Sequence, residues 1–167
     1  RFAMMNFDEG YQAGNAVGES LADKWILSRL EHTVAKVHEA LSNYQFSDAS
    51  LALYHFVWNE LCDWYLELAK LTLKDEATRR STQDTLVHVL DQAFRLLHPF
   101  MPFITEELWQ SLPRDKGNER FLASAAYPRA TGKIHADVEK QVGFLIDAIT
   151  AIRNIRGEQQ LPPSKEF

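Results

Sequence analysis

Apolar residues recur along this chain at the three- and four-residue intervals of an amphipathic helix. The clearest set has successive spacings of four, four, three and four residues, and consists of Ile26, Leu30, Val34, Val37 and Leu41. Such spacing places the apolar side chains on one face of a helix. The pattern therefore predicts a helix from about Leu21 to Leu41, which Asn43 would end.

A second and longer helix is predicted from Ser47, as its N-cap, to about Lys74. Two apolar stripes run along it, one through Leu51, Tyr54, Trp58, Leu61, Tyr65 and Leu68, the other through Leu53, Val57, Trp64 and Leu71. A helix that is apolar on two sides is typical of the centre of a bundle. We therefore expect both stripes to face neighbouring helices.

A third helix is predicted to end at His98. Residues 75–80 are polar and indicate a turn before it, and Ser81 followed by Asp84 resembles a capping box at its start. The apolar residues at helical spacing that we expect to face inward are Leu86, Val89, Leu90, Ala93 and Leu97.

Residues 97–109, LHPFMPFITEELW, combine a helix break with a new helix start. Pro99 and Pro102 lack the N–H that a continuous helix needs and clash with the preceding turn. Thr105 is predicted to cap the next helix, because two glutamates follow it where the positive helix end favours carboxylates. The segment therefore predicts helix, break and helix against an apolar core.

A last helix is predicted from about Asp137 to Arg156, with Gly157 at its stop. Its apolar face would consist of Val138, Val142, Leu145, Ile149 and Ile152. Strand patterns are nearly absent, apart from one short extended piece expected around 121–127. The predicted class is all-α, with an antiparallel helix bundle over 21–133. A helix tail and loop over 1–20 precede the bundle, and a final helix and linker over 134–167 follow it.

Composition is that of an ordinary water-soluble domain, with 46% hydrophobic and 25% charged residues among 167. No apolar run has the length of a membrane span, and no signal peptide opens the chain. The single Cys62 excludes an internal disulfide and indicates a reducing compartment such as the cytoplasm. Because residue 1 is Arg, we expect a piece of a longer protein. The net charge of −5 argues weakly against a dedicated nucleic-acid domain.

Catalytic chemistry has no candidate residues in this sequence. There is no glycine-rich phosphate loop, and the histidines and the cysteine lack metal-ligand spacing. Cys62 is predicted to be a small core residue, and His98 to bond a carbonyl freed at the helix break. No nucleophile, base and oxyanion hole come together, so we assign neither catalytic nor metal-binding residues.

One surface of the first predicted helix is unusual. At about 100° per residue, Trp25, Arg29, His32 and Lys36 form a stripe about 120° from the Ile26 face. Aromatic rings and cations of this kind stack on single-stranded RNA bases and hold phosphates. The alternative is that Trp25 packs against a neighbouring helix and the other side chains are solvated. The periodicity leaves both open.

Four segments together resemble one known family. They are LADKWILSRL (21–30), WNELCDWYLELAK (58–70), RLLHPFMPFITEELW (95–109) and AIRNIRGEQQLPPSK (151–165). In order and spacing they are similar to the anticodon-binding region of class I valyl-tRNA synthetases, and Arg1-Phe2 resembles the end of the family's ASRF helix. Residues 159–161, QQL, depart from the family's usual residues there.

The resemblance implies a parent enzyme that attaches L-valine to valine tRNA with ATP, both being substrates of the parent rather than cofactors of this fragment. The HIGH-type and KMSKS-type motifs of that chemistry are absent, so the fragment is expected to bind tRNA without catalysis. Its implied partners are the anticodon stem-loop of valine tRNA and the catalytic domain of the same chain, with no membrane and no DNA.

The resemblance also favours the RNA interpretation of the stripe. It implies that Trp25 stacks on a base and that Arg29 donates to a base or phosphate. His32 and Lys36 would contact the RNA backbone, Phe94 would complete an apolar rest for the RNA, and Arg1 would reach the anticodon loop. Two alternatives stay open: the corresponding domain of the related isoleucyl enzyme, and a structural or protein-interaction bundle.

Overall fold

A computed structural model describes residues 2–14, 17–114 and 119–159, and over these residues the chain is helical and contains no strand. The elements are α1 (Phe2–Met5), α2 (Leu21–Ser42), α3 (Phe46–Tyr54), a π-helical segment (His55–Tyr65), α4 (Leu66–Thr72), α5 (Glu76–Leu97), α6 (Pro102–Gln110), a 3₁₀ turn (Leu122–Ser124) and α7 (Ala136–Glu158). The predicted all-α class is confirmed. The short extended piece expected around 121–127 is partly wrong, because residues 122–124 form the 3₁₀ turn, whereas Phe121 and Ala125 on either side of it are extended.

Helix α2 follows its sequence signals closely. Ser20 and Asp23 form a reciprocal capping box at its start, and Asn43 is its C-cap, as predicted. The predicted apolar face is buried at Ile26, Leu30, Val34 and Val37 and partly buried at Leu41. This helix packs against α3, the π-helical segment, α5 and α7, and is therefore covered on more than one side.

Helices α3 and α4 are joined by the π-helical segment into one rod, whose Leu66 N–H bonds to the carbonyl of Leu61, five residues earlier. The rod begins at Phe46, so the predicted N-cap at Ser47 is wrong. Both apolar stripes are also partly wrong, since the exposed residues include Leu51, Tyr54 and Trp58 of the first stripe and Leu71 of the second. A π-helix, whose hydrogen bonds span five residues, has more residues per turn than an α-helix. Side chains at α-helical spacing therefore no longer lie on one face of the rod.

Helix α5 starts earlier than the sequence suggested. Asp75 is its N-cap and accepts a hydrogen bond from the N–H of Ala77, so residues 76–80 are helical rather than a turn. The predicted capping box of Ser81 and Asp84 is wrong, because both residues are buried inside the helix. Asp84 instead accepts hydrogen bonds from Tyr11 and other groups of the loop that precedes α2.

The break over 97–109 is confirmed, but its details differ from the prediction. Helix α5 ends at Leu97, and α6 begins with Pro102 in its first turn, where the missing N–H costs nothing. Thr105 is not the N-cap, since it lies inside α6 and its hydroxyl donates to the carbonyl of Met101. His98 lies 2.8 Å from that hydroxyl rather than at a carbonyl.

Helix α7 packs against α2 through its first half. Of the predicted apolar face, Val142 is buried, whereas Leu145 and Ile152 are exposed. The helix continues through Gly157 to Glu158, so the predicted stop at this glycine is wrong. No helix in the described ranges has the combination of length and apolar character that a membrane crossing requires.

Candidate nucleic-acid interface

A polar cleft of about 280 Å³ lies between α2 and the rod. It is lined by residues of both elements: Arg29, His32, Thr33, Lys36, Ala52, His55, Phe56, Asn59 and Glu60. Three of the four residues of the predicted stripe thus lie in one cleft. They do so because spacings of three and four residues place them on one helical face, and the antiparallel rod supplies the opposite wall.

Arg29 is held in place by carboxylates from two directions. Its Nε and Nη2 donate to one oxygen of Glu60 at 2.9 and 2.7 Å. Its Nη1 lies 3.8 Å from a carboxylate oxygen of Glu139 on α7. The hydrogen bond to Glu60 raises the pKa of Arg29, which keeps the guanidinium charged. The side chain is therefore oriented by the protein, and Nη1 makes an ion pair without a hydrogen bond to a described residue.

His32 and Lys36 differ in their contacts with carboxylates of the protein. The Nε2 of His32 lies 3.1 Å from Glu139. Lys36 is exposed and makes no ion pair within the described part of the chain. At the mouth of the cleft, Lys36 is therefore the cation most available to an anionic ligand.

The opposite wall contributes two polar residues that the sequence did not single out. The side-chain amide of Asn59 lies 2.9 Å from Nδ1 of His55, and both side chains are exposed. In the sequence these two residues form a polar pair four positions apart. They were not singled out because the helix that contains them was expected to be apolar on two sides.

Trp25 does not lie on this surface. It is 5% exposed and belongs to the main core, so the expectation of an exposed stacking platform is wrong, and the alternative of packing between helices is confirmed. The physical reason is the number of neighbours of α2. Because α3, the π-helical segment, α5 and α7 all contact α2, a residue of this stripe can be buried between helices, as Trp25 is, although Lys36 on the same stripe is exposed.

The remaining predicted positions lie elsewhere. Phe94 is partly buried against the cluster of Trp109, Leu112 and Leu122, away from the cleft. Arg1 lies outside the described residues. Cys62 is exposed, so its assignment to the core is wrong.

The cleft offers cationic and polar groups rather than reactive ones. Among the residues that the structure describes, no three histidine, cysteine, aspartate or glutamate side chains converge as metal ligands. Arg29, His32, Lys36, His55 and Asn59 supply donors suited to phosphate oxygens and to the edges of unpaired bases. The arrangement is thus suited to noncovalent contact with a nucleic acid.

Comparison with known proteins identifies the family. Residues 23–167 match the model of the anticodon-binding domain of tRNA ligase. A valine–tRNA ligase of Bacillus licheniformis is 45% identical over 173 residues, covering 100% of this chain and 19% of the relative. Those of Bacillus cereus and Geobacillus stearothermophilus are 43% and 42% identical, each covering 99% of this chain and 19% of the relative.

The chain thus spans about a fifth of the length of these relatives, since it covers 19% of each. The match to the family model extends over α2, the rod, α5, α6 and α7, which are the elements that form the bundle and its cleft. The chain belongs to the family of anticodon-binding domains of tRNA ligases.

Proposed function

We propose that this chain is the anticodon-binding part of a valine–tRNA ligase and that it binds the anticodon stem-loop of valine tRNA. The match of residues 23–167 to the anticodon-binding family carries the proposal. The valine specificity is supported by relatives that are 42–45% identical and are named valine–tRNA ligases. The isoleucyl alternative has no such support among them.

The activity of the whole polypeptide is part of this proposal. A catalytic domain elsewhere on the same polypeptide would activate L-valine with ATP and transfer it to the tRNA, in the cytoplasm. The cleft between α2 and the rod contains no reactive constellation, so its role would be confined to holding the RNA.

Within the cleft, each side chain receives a role from its contacts. Lys36 would bind a phosphate, because it is exposed and without an ion pair among described residues. Arg29 would present Nη1 to the RNA while Glu60 holds its other edge. His55 and Asn59 would contact bases or ribose hydroxyls from the opposite wall.

The direct test is the substitution Lys36→Ala in the full-length protein, with Lys74→Ala as the matched control. Both lysines are exposed, but Lys74 lies at the other end of the rod, beyond α4. We expect Lys36→Ala to weaken binding of valine tRNA about three- to tenfold and to make the negative slope of log affinity against log salt shallower by about 0.7, because one phosphate contact is lost. Lys74→Ala should change neither. Fluorescence anisotropy titrations at several salt concentrations provide both values.

A second RNA separates the anticodon from the rest of the tRNA. A minihelix that contains only the acceptor and TΨC stems should bind the Lys36→Ala and unsubstituted proteins equally. Equal effects of the two lysine substitutions on intact tRNA, or an effect of Lys36→Ala on the minihelix, would contradict the placement of the anticodon at this cleft.

A further inference from the structure

The first turn of α7 places a carboxylate against side chains of α2 that belong to the candidate RNA site. Oε1 of Glu139 accepts a hydrogen bond from the hydroxyl of Ser28 at 2.6 Å and lies 3.1 Å from Nε2 of His32. Its Oε2 lies 3.8 Å from Nη1 of Arg29. Three donor groups of α2 therefore converge on one point, and an acidic side chain of another helix occupies it.

These three groups have the chemistry of a phosphate site. A hydroxyl, an imidazole and a guanidinium are groups that bind phosphate oxygens in protein–RNA contacts. At 3.8 Å, Nη1 of Arg29 is beyond hydrogen-bond distance from the carboxylate, so Glu139 attracts it by charge alone. A phosphate, which has more oxygens than a carboxylate, could contact Arg29 and His32 together.

The site is reached from the polar cleft between α2 and the rod. Arg29 and His32 both line that cleft, and their side chains are 34% and 41% exposed. Glu139 approaches them from the α7 side and is itself 21% exposed. An anion that enters the cleft therefore meets Arg29 and His32 directly, with the Glu139 carboxylate as its competitor.

Helix α7 is attached lightly enough for its start to be displaced. Val142 is its buried residue, whereas Phe144 is 77% exposed. The loop before α7 is fastened separately, because the Glu31 carboxylate accepts from the N–H groups of Thr131 and Gly132 at 2.7 and 3.0 Å. The start of α7 can therefore move away from α2 while the loop that precedes it stays in place.

We propose that Glu139 occupies the site of an RNA phosphate, and that binding of the anticodon stem-loop displaces it and releases the start of α7 from α2. Carboxylate and phosphate carry charge of the same sign, so one excludes the other from a single site. The two contacts are then linked: the factor by which Glu139 weakens RNA binding is the factor by which RNA loosens α7. The inference rests on the proposed function, because it takes the polar cleft as the RNA site.

The first test is the substitution Glu139→Gln in the full-length protein, which removes the charge and keeps the shape of the side chain. Asp137→Asn is the matched control, because Asp137 is an exposed residue of the same helical turn, whereas the contacts with α2 belong to Glu139. We expect Glu139→Gln to tighten binding of a fluorescein-labelled anticodon stem-loop of valine tRNA about three- to tenfold. Asp137→Asn should change it less than about twofold, since exposed charges are screened. Anisotropy titrations at one salt concentration measure both.

A second background separates competition for the site from a general effect of charge. Arg29→Gln removes the guanidinium that the phosphate would bind but can still donate a hydrogen bond to Glu60. In this background Glu139→Gln should tighten binding less than about twofold, because the two residues are coupled. An equal gain in both backgrounds would overturn the proposal. Unchanged or weaker binding by Glu139→Gln alone would also overturn it, since this result indicates that Glu139 only holds α7 in place.

Hydrogen–deuterium exchange measures the release of α7. A saturating concentration of the stem-loop should accelerate amide exchange in α7 about three- to tenfold, the same factor as the gain in affinity, and should leave α5 unchanged. In the Glu139→Gln protein the stem-loop should accelerate exchange in α7 less than about twofold. Exchange in α7 that is unchanged or slower when RNA binds to the unsubstituted protein would overturn the proposal.

The Lys36→Ala titration distinguishes failure of this inference from failure of the proposed function. If Lys36→Ala weakens binding and Glu139→Gln leaves it unchanged, RNA binds in the cleft without displacing Glu139, and only this inference fails. If Lys36→Ala has no effect but the gain of Glu139→Gln depends on Arg29, the role of Lys36 fails and the phosphate site stands.

Discussion

Trp25 shows how the environment of one side chain determines its role. Its ring is 5% exposed and belongs to the main core. We expect Trp25→Ala to lower the free energy of unfolding by about 3–5 kcal/mol, since it removes a large buried side chain and leaves a cavity. Urea denaturation measures this change, and Trp58→Ala is the control, because Trp58 is 57% exposed in the isolated chain and should cost less than about 1 kcal/mol. Unchanged stability of Trp25→Ala would show that the indole is not packed as described.

The residues of the candidate site were partly predictable. Helical spacing alone puts Arg29, His32 and Lys36 on one stripe, and the structure places them in one cleft, but the spacing left their RNA-binding role open. The burial of Trp25 was not predictable from the sequence of α2, because that sequence does not show how many other helices pack against it. His55 and Asn59 were missed for the converse reason, since their helix was expected to be covered on two sides.

Glu119 gives a residue-scale prediction that depends on pH. Its carboxylate accepts hydrogen bonds from Nη1 and Nη2 of Arg95 at 3.0 and 2.6 Å, and this bonding lowers its pKa below the ordinary value of 4.5. A carboxyl whose pKa is lower in the folded state stabilises the fold fully above its unfolded pKa and loses that contribution as pH falls through its folded pKa. Stability should therefore decline in acid partly through this group.

The substitution Glu119→Gln isolates that contribution. At pH 7 it should lower the free energy of unfolding by about 1 kcal/mol, and the difference should shrink as pH falls below 4.5. Urea titrations at pH 7 and at low pH measure both values, with Glu107→Gln, an exposed glutamate, as the control. A difference that stays constant with pH would show that the ion pair does not titrate as described.

At the scale of elements, helix existence was predictable and helix starts were not. The helices over 21–42 and 76–97 and the break after Leu97 follow from periodicity and from the prolines. The starts of the rod and of α5 were misplaced, because several Ser and Asp residues in each region are chemically suitable as N-caps. The π-helical segment was also not predictable, since the spacing of apolar residues in the sequence does not distinguish an α-helix from a π-helix.

Capping gives the corresponding prediction for elements. Asp75 accepts from the N–H of Ala77 at 3.0 Å at the start of α5, whereas Ser47 lies within the first turn of α3 and is not its N-cap. We expect Asp75→Ala to lower the free energy of unfolding by about 1 kcal/mol, and Ser47→Ala to change it by less than about 0.5 kcal/mol. Chemical denaturation of the two variants compares them directly. A larger loss of stability in Ser47→Ala than in Asp75→Ala would indicate that Ser47 is the N-cap of α3 after all.

At the scale of the whole molecule, α2 is the helix that the rod, α5 and α7 all pack against. The rod covers one side of it, α5 another, and the start of α7 a third. This arrangement buries Trp25 and leaves Lys36 at the mouth of a cleft. The net charge of −5 therefore says little about the site, since a local surface and not the total charge meets the ligand.

The attachment of α7 to α2 is more polar than the rest of the bundle. Glu139 accepts from Ser28 at 2.6 Å and lies 3.1 Å from His32, whereas Val142 is the buried apolar residue of this helix. Polar contacts near the surface contribute less than a large apolar interface. Helix α7 should therefore open locally more often than α5.

The substitution Glu139→Ala tests this view of the molecule, with Asp137→Ala as a matched control. Both acidic residues lie in the first turn of α7, so both lose the same favourable interaction with the helix dipole, but Asp137 is exposed. We expect Glu139→Ala to accelerate amide exchange throughout 136–158 about tenfold, which corresponds to about 1.4 kcal/mol. Asp137→Ala should accelerate it about threefold or less, and exchange in α5 should stay unchanged in both. Equal acceleration by the two substitutions would show that the helix dipole, and not the contact with α2, holds α7 in place.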